Sequence, residues 1–212
     1  MYPVYEQLIK YNRSGKKLLP QGVVVHATAT PGATAQNEHD YFNSGDRQAS
    51  AHYFVDPTSI IRCIPENEQA WHSGPTANGK FLSVEMCEVG PFIEVWKRTV
   101  WLVADACVRY GWQTGPNVWS HRGIAEMNHE TDHLDPHEFL EKNGKNWGEL
   151  IKAIDAEIKI LKAIAAATIQ PVKKSIATDD IYLSVRVREG KAEDLIAKIK
   201  AMGFACQRLD LA

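Results

Sequence analysis

Residues 129–136 read HETDHLDP, two histidines and three carboxylates in eight positions beside one proline. Side chains of these types can ligate a metal ion, move a proton, or hold one another in ion pairs. The cluster follows closely on His121, and a further histidine, His26, stands in the run GVVVHAT. Of the eight histidines in the chain, the others are His39, His52, His72 and His137. A lone histidine is more often a hydrogen-bonded core or surface residue than a ligand. Several at strand ends and in loops, with carboxylates nearby, point instead to a metal centre.

A catalytic zinc site takes three protein ligands and keeps a fourth position open. His26 and His121 can supply two of them. Asp132, His133 and Asp135 compete for the third, and spacing alone does not choose among them. Asp135 precedes Pro136, which biases it toward an extended backbone and restricts its direction.

The elements that must position these groups are readable as patterns. GVVVHAT (22–28) is a β-branched run ending in polar residues, a buried strand that presents His26 at its carboxyl end. Residues 33–44 suit a short helix. SAHYFVD and SIIRCIP form a hairpin, and FLSVEMCEV is another strand. Residues 94–110 carry apolar side chains at helical spacing and stop at Gly111. NVWSH is a short extended piece ending at His121, and 122–145 reads as irregular with short helical turns. From Trp147 to Ala167, Leu150, Ile151, Ile154, Ile158 and Leu161 recur at threes and fours, a helix of about five turns.

The segment TIQPVKKSIATDD marks a boundary, so the chain divides into a catalytic domain at 1–167, a linker at 168–180 and a small unit at 181–212. That unit reads as strand, helix, strand, too short to bury an independent core comfortably. It is expected to bind cell wall, dock on the main domain, or pair with another copy into a homo-oligomer.

A chain of 212 residues with 44% hydrophobic content can bury a real core. Its formal net charge of -2 argues against nucleic-acid binding driven by phosphate neutralisation. No run approaches the roughly 20 apolar residues of a membrane span, and the first residues lack the apolar core of a secretory signal. The expectation is therefore a protein made in the cytoplasm with no membrane insertion. Cys63, Cys87, Cys107 and Cys206 form no CxxC pair and read as buried free thiols.

In combination, VVVHATAT, ASAHYFVD, IIRCIPENEQAWHSG, LSVEMCEV, SHRGI and TDHLDP resemble the zinc-dependent N-acetylmuramoyl-L-alanine amidases of the type-2 class, related to phage endolysins and peptidoglycan recognition proteins. The resemblance covers about residues 20–140. It implies an α/β fold, a central mixed β-sheet flanked by helices, with the metal at one edge of the sheet. His26 and His121 fall on the family's two histidine ligands. The family's closing motif falls on His133, Leu134, Asp135 and Pro136, which makes Asp135 the third Zn2+ ligand and His133 the basic catalytic residue, where many relatives carry lysine. Glu85 falls on the general base. Read from the strand alone, Glu85 points away from Val84 and Met86 and need not enter the core. Some relatives use a tyrosine where this chain has Ala51, which closes that route and leaves the one through Glu85. Trp71 and His72 are expected in a wall of the substrate groove, and His52 in the core or behind the site. His129 and Glu130 are expected to orient the ligand loop.

The resemblance implies a hydrolase of bacterial peptidoglycan that cuts between N-acetylmuramic acid and the L-alanine of the stem peptide. A phage or prophage endolysin, reaching the wall through a holin-type pore, is the expected setting, with an autolysin second. The competing readings are a peptidoglycan-binding protein without catalysis and a zinc peptidase acting on the same polymer.

Overall fold

The computed structural model describes residues 1–168, so the linker and the carboxyl-terminal strand, helix, strand unit expected from the sequence lie outside the described residues. Met1–Ile164 make one compact unit, and a second begins at Ala165. Six strands form one mixed sheet: β1 (Tyr5–Glu6), β2 (Gly22–Ala27), β3 (Tyr53–Val55), β4 (Ile60–Arg62), β5 (Phe81–Met86) and β6 (Val118–Ser120), in the order β1-β4-β3-β5-β2-β6. β3, β5, β2 and β6 run parallel to their neighbours in that order, while β3 and β4 pair antiparallel as the expected hairpin.

All six residues of β2 are buried, as a central parallel strand covered on both faces requires. Alternation along it separates two layers. Val23, Val25 and Ala27 join Leu82, Val84 and Met86 in the larger core. That core also holds residues of α3 (Phe92–Tyr110), α6 (His137–Lys142) and α7 (Trp147–Thr168). Val24 packs on the other side with Phe81, Ala77 of α2 (Pro75–Asn78) and Ile124 of α5 (His121–Asn128). Phe54 and Ile61 continue this second layer against Ala35 and Phe42 of α1 (Ala35–Asn43).

The helices carry the expected stops. Thr34 and Asn37 cap α1 reciprocally, the Thr34 side chain accepting from the Asn37 backbone N–H while Asn37 accepts from that of Thr34. α3 ends at Gly111, whose φ of 73° suits a residue without a Cβ and lets its N–H reach the Cys107 carbonyl. α7 buries Leu150, Ile154 and Ile158. Burying side chains of this size contributes about 1.5–3 kcal/mol each. A partly exposed polar network ties α3 to β3 and the segment after β4, with Glu66 accepting from both terminal nitrogens of Arg109 and from the Tyr53 hydroxyl.

The four-residue helices α2 and α4 (Thr114–Asn117) and the two-residue edge strand β1 add to the sequence reading. His121 is the first residue of α5, one past the strand, because Ser120 ends β6 as the helix cap and accepts from the Gly123 N–H. Cys63, Cys87 and Cys107 are buried free thiols. Among the described residues no helix is long and apolar enough to cross a membrane.

Candidate active site

His26 and Glu85 are register partners on the adjacent parallel strands β2 and β5, each one residue before its strand ends. Register partners share a face, so both project toward the layer of α1, α2 and α5 at the carboxyl ends of the strands, the usual ligand position of an open α/β sheet. β6 lies next to β2 and delivers His121 to the same place. The site thus forms near the β6 edge.

His26 Nδ1 lies 3.0 Å from His121 Nδ1 and 3.2 Å from Asp135 Oδ2, while His121 Nδ1 lies 3.0 Å from Asp135 Oδ1. One ligand atom from each residue falls within 4.8 Å of the others. Two imidazole nitrogens facing each other and one carboxylate form a donor set that a divalent cation satisfies directly, since each offers a lone pair. The nitrogen and oxygen donors and their number fit a catalytic zinc site. Asp132 does not belong to this group. Asp135 is held by the backbone beside both histidines, at the end of β2 and the start of α5: its Oδ2 accepts the Ala27 N–H at 3.2 Å, and its backbone carbonyl accepts the Arg122 N–H at 3.1 Å. Ala27 and Arg122 each directly follow one of the two histidines.

Burial opposes ionisation of Asp135, and the neighbouring His121 and then His26 outweigh it, holding the carboxyl well below its usual range. Burial lowers the pKa of His26, which keeps its ring a neutral donor. Glu85 Oε1 stands 4.0 Å from His26 Nδ1. Burial, followed by the Asp135 and Glu38 carboxylates, holds Glu85 well above the ordinary carboxyl range. A cation among the three donors acts in the opposite direction.

His133 is 64% exposed at its side chain, stacks on His121 with ring centroids 4.7 Å apart, and puts Nδ1 3.7 Å from Asp135 Oδ1. It therefore borders the donor set from the solvent side. Trp71 is half-buried, and its backbone pairs with Ser50. His72 touches His26 directly, its Nδ1 3.1 Å from His26 Nε2. His52 is a core residue: fully buried, it bonds the Ser83 hydroxyl and the Glu68 carbonyl. Ala51 is buried as well.

Glu130, expected to orient the ligand loop, bonds to Thr76. Its carboxylate accepts the Thr76 N–H at 2.9 Å and the Thr76 hydroxyl at 2.6 Å, tying the loop that leads to Asp135 to the start of α2. His129 ends α5 with φ 55° and donates its N–H to the Ala125 carbonyl. His39 bonds Asp40, and His137 Nε2 bonds the Ser120 hydroxyl, so both serve local structure. Asn78 was not visible as a site residue. Its side-chain oxygen accepts the N–H groups of both His72 and Ser73, at 2.8 and 2.9 Å, and fixes the backbone beneath His72. The GPTAN turn that follows AWHS was the available signal.

A family model described as N-acetylmuramoyl-L-alanine amidase matches residues 15–138. The N-acetylmuramoyl-L-alanine amidase CwlL of Bacillus licheniformis is 43% identical over 141 residues, 56% of this chain and 39% of that protein. A bifunctional autolysin of Staphylococcus epidermidis is 30% identical over 146 residues, 64% of this chain and 11% of the autolysin. The chain spans about two fifths, or less, of the length of these curated relatives. Among solved structures, a mutant endolysin from Bacillus subtilis superposes with a TM-score of 0.63 at 25% identity, covering 73% of this chain and 99% of that one. The Staphylococcus aureus hydrolase AmiA shares the fold, with a TM-score of 0.71 at 24% identity over 77% of this chain and 87% of its own.

Proposed function

The chain belongs to the N-acetylmuramoyl-L-alanine amidase family, and from that premise we propose that it hydrolyses the amide joining the lactyl group of N-acetylmuramic acid to the L-alanine of the peptidoglycan stem peptide. The observation that carries this reading is the convergence of His26, His121 and Asp135 beside the buried carboxyl of Glu85. We assign the three as ligands of Zn2+. When bound, zinc supplies a Lewis acid that polarises the scissile carbonyl and lowers the pKa of the attacking water from 15.7 toward roughly 7.

The protein's own groups do the rest. Glu85 accepts the proton that the attacking water gives up and returns it to the nitrogen of the leaving amine, so one C–O bond forms as the C–N bond breaks. Its place 4.0 Å from His26 Nδ1 puts the carboxyl beside the donor set, where the attacking water would be held. His133, on the open side, donates to the carbonyl oxygen as negative charge develops there. Asp135, fastened to the residues after both histidines, holds the donor set in shape. Trp71 and His72 border the substrate groove.

Peptidoglycan is the partner this chemistry requires. An endolysin of phage or prophage origin, released to the wall through a holin-type pore, is the setting we favour, supported by the likeness to the Bacillus subtilis endolysin. The presence of a third donor, the Asp135 carboxylate, disfavours a binding protein without catalysis. Mass spectrometry of purified walls digested with and without a chelator tests the function. New L-alanine amino termini that vanish with the chelator support it. Internal peptide ends instead would make the enzyme a zinc peptidase.

A further inference from the structure

We propose that His72 is a positioning residue of the metal centre, fixing His26 in the tautomer whose Nδ1 lone pair faces His121 and Asp135. This rests on the assignment of His26 as a metal ligand.

The Phe81 carbonyl can only accept, and it lies 3.3 Å from His72 Nε2, so His72 carries a proton there. With one proton on the ring, His72 offers a lone pair at Nδ1. That atom lies 3.1 Å from His26 Nε2, which must then be the donor. A His26 ring protonated at Nε2 presents its lone pair at Nδ1, and Nδ1 is the atom facing His121 and Asp135.

The Ser73 hydroxyl reinforces the same polarity. It lies 3.0 Å from His72 Nδ1 and 3.4 Å from His26 Nε2, placed to donate to the first and accept from the second. Asn78 holds the backbone beneath both residues, and the two rings meet edge-on with centroids 5.2 Å apart. The Phe81 carbonyl, at the start of β5, thus decides which nitrogen of His26 is free four residues along the neighbouring strand's register. Orienting partners of this kind are worth roughly 10–100-fold in metal affinity.

The test uses the full chain, with His72→Leu and His72→Asn variants. Asn places an acceptor oxygen near the position of Nδ1 and keeps the bond from His26, whereas Leu cannot. In competition with a chromophoric chelator, His72→Leu should bind Zn2+ roughly 10–100-fold more weakly than wild type, and His72→Asn should recover most of that loss. Nitrogen-15 NMR of the ion-free protein should find His26 protonated at Nε2 in wild type and His72→Asn, and a tautomer mixture in His72→Leu. Unchanged Zn2+ affinity with an unchanged His26 tautomer in His72→Leu would overturn the proposal. If that variant does not fold, the wild-type spectrum decides: a His26 proton on Nδ1 overturns it. Failure of wild type to bind Zn2+ would instead sink the metal assignment, and the ion-free spectrum would still judge the tautomer.

Discussion

His26 and Glu85 are paired in register across β2 and β5, which sets the first proposed metal donor and the proposed base on one face of the sheet, 4.0 Å apart. Two rigid neighbouring strands fix that spacing, so neither residue depends on a loop for its position.

Glu85→Gln preserves the shape and removes the base. The variant should retain Zn2+ at wild-type stoichiometry while amide hydrolysis falls by roughly 10²–10⁴. Asp135→Ala should lose both ion and activity. Metal content by elemental analysis, alongside amine release from purified walls, checks the pair. Near wild-type turnover in Glu85→Gln would assign the proton transfer to another group.

His133 gives a different pattern because it borders the donor set without completing it. His133→Ala should lower kcat by roughly 10²–10³, the loss expected for one oxyanion donor. His133→Lys keeps a donor on a longer stem and should recover much of that rate. Equal loss in both variants, together with lost Zn2+, would make His133 a ligand.

Gly74 marks the clasp between Glu130 and Thr76. Its φ of 84° and ψ of 163° lie where side chains are rarely accommodated, and an added Cβ would come within 2.6 Å of Glu130 Cβ. Gly74→Ala should cost about 1–3 kcal/mol from the backbone alone and open the clasp as well. Combining it with Glu130→Gly, which removes the colliding Cβ, should relieve the collision but not the backbone cost. Thermal melts of both single variants and the double variant separate the two contributions, and strictly additive losses would refute the collision.

His52 predicts an acid-sensitive window in stability. Burial lowers its pKa from the ordinary 6.5 to about 4, so the unfolded chain binds the proton more readily. The stability it contributes is complete above pH 6.5 and is lost as pH falls through about 4, a total of about 3 kcal/mol. His52→Gln should flatten the fall in urea-unfolding free energy between those values. An unchanged slope would show that His52 does not titrate in this way.

Much of the fold was legible because its elements are strongly patterned. The β-branched run of β2, the alternation in β5, the apolar stripes of α3 and α7, and the Gly111 stop each express one local rule. His121 was displaced by a single residue because Ser120 ends a strand and caps a helix at once, and both functions suit the same serine. β1 was illegible because both of its residues are exposed and two residues carry no period. The identities of the donors could be named from motifs, but the pairing of His26 with Glu85 depends on strand register, and the contact of His72 with His26 on a turn anchored by Asn78. Those relationships arise from the assembled sheet.

The attachment of Asp135 to Ala27 and Arg122 also bears on the order of events during synthesis. His26 and His121 are 95 residues apart, and the bond from Ala27 to Asp135 spans 108. A nascent chain that has not yet exposed Asp135 outside the ribosome cannot gather the three donors, however well its first strands have paired. On the proposed ligand assignment, chemical competence therefore arrives late, only once residue 135 has left the ribosome.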